Sequence, residues 1–218
     1  MKLYFSPLAC SLASRIALHE AAAIVTFVEV DPKTKRTLDG VDFRTINPLG
    51  LVPTLLLEDG DILTENAAIL QYIAERFPQA SLAPTDTMGR SRLRQWLSFV
   101  GTELHKALYV PLLTKGAPDG AKTFALSKAH SRLEWVSAHL QDREYALGTF
   151  SVADAYLFAV LNWSAVTPVD LSPWPTIVAY HQRLHQRPSV ARAFGEERAL
   201  YAQELERQRA SEEAARPA

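Results

Sequence analysis

Cys10 is the only cysteine in the chain. It follows a short apolar stretch, Lys2 to Phe5, and a Ser6-Pro7 break, and it opens a helical pattern. A thiol at a helix start meets the positive end of the helix dipole and unpartnered N–H groups, which favour the thiolate. The position three residues on is Ala13, not a second cysteine. A lone thiolate forms a mixed disulfide with an external thiol but cannot resolve it internally. The alternative is a small buried apolar residue, the common fate of a free cysteine. Position favours reactivity and a lowered pKa. Ser11 is a competing nucleophile or hydrogen-bond donor, or simply the helix cap. Tyr4 lies in the strand and packs. His105 matters to chemistry only if its helix faces Cys10; a lone histidine on a helix is more often structural.

A second chemical stretch is NPLGLVPTLLLEDGDILTENAAI, Asn47 to Ile69. Pro53 opens a strand, a place where a residue without an N–H is tolerated, and the Val52-Pro53 bond is a candidate for cis. Val52 would then offer its backbone to an extended peptide ligand by strand addition. Glu65-Asn66 begins a helix, whose free N–H groups suit a carboxylate. The plain alternative is an edge strand and an ordinary cap. Asp59-Gly60 predicts a two-residue hairpin turn of the primed type.

These residues need a scaffold. Lys2–Phe5 reads as a strand, Cys10 to Ala23 as a helix, and the β-branched run Ile24 to Val30 as a second strand, which together make a βαβ unit. Asp31 to Ile46 reads as loop with a short helix. The Asp59-Gly60 hairpin and the helix after it complete a four-stranded mixed sheet of thioredoxin-like type. Residues 79–87 read as a linker between an α/β half, 1–78, and an all-helical half, 88–218. In the second half a long amphipathic helix runs from Met88 to about Leu113, followed by helices from Lys122 to Leu140, Ser151 to Val166, Pro175 to Gln186 and Ser189 to about Leu205. The last dozen residues are charged and expected to fray. VADAYLFAVLNW has no polar face, so its helix is central, and Ser151 with Asp154 has the form of a capping box.

Composition narrows the function classes. A formal net charge of −1 gives no basic surface, so nucleic acid is not a favoured partner. One cysteine excludes an internal disulfide and any multi-cysteine metal site. No apolar run approaches the roughly 18 residues of a membrane span, and the start is too soon broken by proline for a secretory signal. A cytoplasmic, reducing compartment is expected. His181 and His185 stand at i and i+4, but no third ligand is near in sequence, and an amphipathic helix explains them; no metal is expected.

In its order of motifs the chain resembles the cytosolic glutathione transferases. The blocks are Tyr4-x-x-x-x-Ala9-Cys10-Ser11-Leu12-Ala13-Ser14, Asn47-Pro48-x-Gly50-x-Val52-Pro53, Leu63-Thr64-Glu65-x-x-Ala68-Ile69, Thr102-Glu103-Leu104-His105-Lys106 and Ser151-x-x-Asp154-Ala155-Tyr156-Leu157-Phe158. The first and fourth resemble the bacterial beta class in particular. The resemblance implies that Cys10 contacts or traps the glutathione sulfur, with Ser11 and His105 near it. It implies that Val52, before a cis Pro53, pairs with the cysteinyl backbone, that Glu65 and Asn66 hold the γ-glutamyl end, and that Lys35 meets the glycine carboxylate. Ser98, Glu103 and Lys106 match positions lining the site, some of them across a dimer. Asn66 stands where many members have serine, and Ser98 where asparagine is common; the second change removes a direct side-chain contact.

The expected protein is therefore a homodimeric cytoplasmic glutathione S-transferase that joins the glutathione thiolate to a hydrophobic electrophile. The electrophile would lie between the halves, over Ser6 to Ala9 and the helix around Leu108 to Leu113. Two other classes stay open: a glutathione-dependent thiol-disulfide reductase or dehalogenase that uses Cys10 covalently, and a non-enzymatic binding protein of the same fold.

Overall fold

The computed structural model describes residues 1–214. Strand β1 (Lys2–Phe5) lies inside a sheet of order β2-β1-β3-β4. It pairs in parallel with β2 (Thr26–Glu29) and antiparallel with β3 (Thr54–Leu56), which pairs antiparallel with β4 (Ile62–Thr64). The parallel pair is joined through α1 (Leu12–Glu20), the crossover that a βαβ unit needs. Alternation along β1 sends Leu3 and Tyr4 to opposite faces. Leu3, paired with Leu55, belongs to the main core with Ile16 of α1 and Ile69 and Ile73 of α2 (Asn66–Arg76), whereas Tyr4 joins Val30 and Phe43 in a small separate cluster.

Several boundaries differ from the sequence expectation. Helix α1 begins at Leu12 because residues 6–11 fold into turns, with the Ala9 N–H on the Ser6 carbonyl. It ends at Glu20, not Ala23: Ala22 takes φ 49° and the Ala23 N–H bonds back to the Leu18 carbonyl, a Schellman-type stop. The hairpin has three loop residues, Glu58, Asp59 and Gly60, not two. Leu57 N–H donates to the Asp61 carbonyl at 2.9 Å and Gly60 takes φ 94°, the left-handed position that follows a type I turn.

The long helix starts as α3 (Thr87–Phe99), capped by Asp86 on the Gly89 N–H. It continues not as regular α-helix but as a π segment, Val100–Tyr109, and closes as α4 (Val110–Leu113). Pro111 has no N–H for the Ala107 carbonyl and its ring would crowd that carbonyl in a regular α-helix. The wider π turn, with Val110 N–H on the His105 carbonyl, relieves both. It also lets the neighbours Leu104 and His105 both face inward. Then come α5 (Asp119–Leu140), α6 (Val152–Leu161) with a 3₁₀ extension Asn162–Val166, α7 (Pro175–His185) and α8 (Pro188–Ala214). The expected fraying is corrected as far as Ala214, where α8 is helical; Arg207 pairs with Glu29 of β2 and Gln208 with Glu204. Residues 215–218 of that stretch lie outside the described residues.

Every residue of α6 is buried, so it is the central helix. Its capping box is present, and Asp154 does more than cap. One carboxylate oxygen accepts from the Ser151 N–H and hydroxyl, both at 2.9 Å. The other accepts from the Ala146 N–H at 2.8 Å and the Tyr180 hydroxyl at 2.7 Å. Asp154→Ala removes the cap, about 0.5–2 kcal/mol, and strands buried donors at about 1–3 kcal/mol each. We expect a larger loss of stability in Asp154→Ala than in Ser151→Ala by chemical denaturation, with activity retained at low temperature where the variant stays folded.

Candidate active site

The loop Ser6–Cys10 is held from inside and outside. Ser6 Oγ donates to the Val30 carbonyl at 2.6 Å. Ser11 is fully buried; its hydroxyl donates to the Ser6 carbonyl at 3.2 Å and accepts from the Ser6 N–H at 3.4 Å. It stands at the cap position of α1 without a side-chain cap bond. Ser11 thus braces the loop from within. Leu8, at φ 57°, is gripped by the helical half. Its N–H donates to Glu197 Oε2 at 2.7 Å, and its carbonyl accepts from Trp163 Nε1 at 3.0 Å.

Behind this grip Arg15 of α1 lies 3.0 Å from both Glu196 and Glu197, over the rings of Phe5 and Phe27. Burial pushes the Glu197 carboxyl up to about 8, against the pull of Arg15 and the Leu8 N–H. For Glu196, more exposed, burial is the largest single effect and raises the carboxyl, but bonds from Arg192, His19 and Arg15 together outweigh it and hold it down to about 2. One guanidinium between two carboxylates keeps one ionised and lets the other carry a proton.

Cys10 is 8 % exposed. Burial pushes its thiol up to about 12, against the positive charge of Lys106 and its own backbone N–H; Glu65 and Glu197 push it further up. The sequence expectation of a lowered pKa is corrected. Helix α1 begins two residues later, and the thiol donates to the Val52 carbonyl at 3.5 Å, a contact that favours the protonated form. Desolvation outweighs the dipole.

The Val52-Pro53 bond is cis, and Asn47 braces its loop by donating to the Leu51 carbonyl and the Thr54 hydroxyl. The Lys35 stem runs beside Gly50 of the same loop. Glu65 is exposed, at φ 65° just before α2, a sparsely populated backbone of the kind found at functional sites. Asn66 looks inward: its amide donates to the Cys10 carbonyl at 2.8 Å and accepts from Ser14 Oγ at 2.9 Å. It fastens the start of α2 to the cysteine loop.

From the π segment, His105 Nδ1 lies 2.8 Å from the Tyr156 hydroxyl, with its ring against Trp163. Burial, then Lys106, lowers its pKa to about 4, so it is neutral near pH 7. Lys106 is exposed and close enough for its charge to act on Cys10. Glu103 is paired with Arg132 at 2.6 Å, and Ser98 is exposed, its carbonyl taken by Thr102. The fold therefore gathers Cys10, Val52, Pro53, Glu65, Asn66, Lys106 and, through Tyr156, His105. Lys35 lies further along the loop, and no bond links Ser98 or Glu103 to Cys10. His181 and His185 pack on Phe158. Sequence reading missed Tyr156 as a site residue, and it missed Trp163, Leu8 and Glu197. The one available signal was Arg15, a cation in the apolar run LASRIAL, which needs a partner when buried.

Two outcomes follow. Without added glutathione, alkylation of Cys10 by iodoacetamide is expected to be slow at neutral pH and to keep rising with no plateau up to about pH 9; a plateau near pH 7 would contradict the thiol assignment. For Glu197 the folded pKa is raised above the unfolded value, so the folded chain binds the extra proton. Its contribution is full below the unfolded pKa and is lost as pH rises toward about 8. Glu197→Gln keeps an acceptor for Leu8, and its stability should fall less over that window than the wild type's in denaturation at a series of pH values.

Comparison with known proteins places this geometry. The family model for the glutathione S-transferase N-terminal domain matches residues 9–76, and that for the C-terminal domain matches 103–188. Glutathione S-transferase GstA of Escherichia coli O157:H7 is 40 % identical over 199 residues, 90 % of this chain and 98 % of that one. Among solved structures, a bacterial beta class glutathione S-transferase from Sphingomonas chungbukensis is 49 % identical with a TM-score of 0.86, covering 90 % of this chain and 98 % of its own. A sphingomonad glutathione S-transferase solved in complex with glutathione is 44 % identical with a TM-score of 0.86, at the same coverage. With both halves matched and relatives aligned over nine-tenths of its length, the chain belongs to the glutathione S-transferase family, in its bacterial beta class.

Proposed function

We propose that the protein joins the sulfur of glutathione to a hydrophobic electrophile, with Cys10 as the tuning group and not the nucleophile. The observation that carries this is the buried Cys10 sulfur set against the Val52 carbonyl at 3.5 Å, with the Lys106 charge near enough to act on it. A thiol that burial keeps protonated attacks poorly at neutral pH, and its S–H remains a weak hydrogen-bond donor. Lys106 offers the positive field that a second, substrate sulfur needs to ionise. The Val52 backbone pairs with the cysteinyl unit of glutathione, and Glu65 with the backbone start of α2 at Asn66 takes the γ-glutamyl end, where free N–H groups suit its carboxylate. Lys35 serves the glycine carboxylate. Ser11 acts through the loop it braces, and His105 from the helical side. Catalysis rests on positioning and on electrostatic stabilisation of the thiolate, with no metal called for.

The glutathione-binding unit is taken as 1–78, the connector as 79–87 and the helical unit as 88–218. Exposed Leu49, Leu51, Phe124 and Trp135 supply apolar surface for a second copy, through which Ser98 and Glu103 would approach the partner's glutathione. A detoxifying role in the cytoplasm fits a lone unpaired cysteine and the absence, among the described residues, of a helix long and apolar enough to cross a membrane.

The test compares wild type and Cys10→Ala in a glutathione-conjugation assay and in a disulfide-exchange assay. Conjugation is expected to persist in Cys10→Ala at a reduced rate, and any disulfide exchange to disappear, since only that reaction needs a covalent protein sulfur. Loss of conjugation in a variant that still binds glutathione would make Cys10 the nucleophile and move the reading to a reductase.

A further inference from the structure

The Tyr156 hydroxyl is buried between two groups that have not been given a joint role. On one side it meets His105 Nδ1 at 2.8 Å. Burial raises the phenol's pKa, and the Asn66 side-chain amide acts against that rise, as a nearby donor does. The orientation of that amide is settled by its other contacts. Its nitrogen lies 2.8 Å from the Cys10 carbonyl, and a carbonyl can only accept, so the nitrogen edge points there. The oxygen then takes the Ser14 hydroxyl proton. The edge toward Tyr156 is thus N–H. A phenol with a donor on one side has to send its own proton to the other, and the acceptor there is His105 Nδ1. The opposite assignment, Nδ1–H donating to the phenol, leaves a buried O–H with no acceptor among its contacts, which folded proteins rarely tolerate.

We propose that Tyr156 is a positioning residue for the transfer reaction, holding the His105 ring in one orientation and in the Nε2–H tautomer, so that His105 presents a neutral hydrogen-bond donor to the sulfur of bound glutathione. Nε2 is the ring nitrogen with no protein partner among the described residues. The lowered pKa of His105 agrees with a neutral donor and argues against a general base whose free nitrogen accepts protons. Ser14 donates to Asn66 and Asn66 to the Cys10 carbonyl, while Tyr156 donates to His105. Both halves of the chain thereby set the same ring, since Asn66 opens α2 and Tyr156 stands within α6. The inference rests on the glutathione-transfer reading above.

The test reads the tautomer directly, in the full-length protein alone. Long-range proton–nitrogen correlation spectra of histidine-labelled wild type, with His105 assigned by its loss in His105→Gln, should show Nδ1 as an acceptor nitrogen and Nε2 as protonated. In Tyr156→Phe, which keeps the ring and removes the hydroxyl, the same signals should move toward a mixture of tautomers. The kcat for conjugation should fall about 2- to 10-fold, the factor of one net hydrogen bond, with KM for glutathione little changed. A protonated Nδ1 in the wild type overturns the proposal. So does Tyr156→Phe with an unchanged tautomer, or with a changed tautomer and an unchanged kcat. A wild type that shows the Nε2–H tautomer but conjugates no electrophile would sink the transfer reading instead, leaving the Tyr156–His105 assignment in place.

Discussion

The structure depends on how a single backbone unit, Leu8, is held. A non-glycine residue in left-handed conformation costs about 1–3 kcal/mol, and it persists only where its surroundings fix it. Here a carboxyl from α8 takes the N–H and an indole from the segment after α6 takes the carbonyl. Leu8 lies two residues before Cys10, so the helical half sets the cysteine loop of the sheet half. The dependence runs further back. Trp163 is placed by α6, and α6 is anchored at its start by Asp154, which also ties in Ala146 and α7 through Tyr180. One central helix thus supplies Tyr156 to the histidine and leads directly to Trp163, the clamp on the cysteine loop.

The same clamp explains an unusual charge arrangement. Arg15 is buried in the apolar face of α1 and would be costly without a counterion. Two successive carboxyls of α8 approach it, but full ionisation of both in a closed space would leave an excess negative charge. Their surroundings divide the two: Glu196, partly in water and reached by His19 and Arg192 as well, is held toward its ionised form, while burial drives Glu197 toward its neutral form. Either form of Glu197 can accept from Leu8. The grip therefore does not depend on the charge, although stability does.

Features fixed by neighbours in sequence were legible; those closed by distant residues were not. The βαβ unit, the hairpin, the proline-led strand and the cap of α6 each follow from residues within a few positions of one another, and the family resemblance added the site list. The two-residue turn was misjudged because Asp59-Gly60 carries the required left-handed glycine equally in a three-residue loop. The π segment was hidden because Pro111 perturbs a helix whose apolar stripe reads as regular. The Cys10 pKa was misjudged because a helix start is visible in sequence, whereas the depth of burial is not. Glu196, the partner of Arg15, lies 181 residues away, beyond the reach of any local pattern. Tyr156 read as one more apolar position in a helix without a polar face, and only the packed structure shows where its hydroxyl goes.

The protonation of Cys10 is what makes a lone cysteine compatible with a second sulfur in the proposed reaction. Two sulfurs side by side would not both ionise, because each negative charge raises the pKa of the other. The environment must choose one. Cys10 is walled off from water, faces a carbonyl, and feels Glu65 and Glu197, all of which keep its proton in place. Lys106 places a positive charge near it and, by the tautomer argument, His105 offers an N–H to a sulfur bound there. A sulfur arriving there meets a cation and donors, while the protein sulfur retains its proton and becomes a donor itself. Groups whose surroundings push their pKa values apart divide acid and base roles between them; here the division assigns the negative charge, and with it the nucleophilic role, to the substrate sulfur.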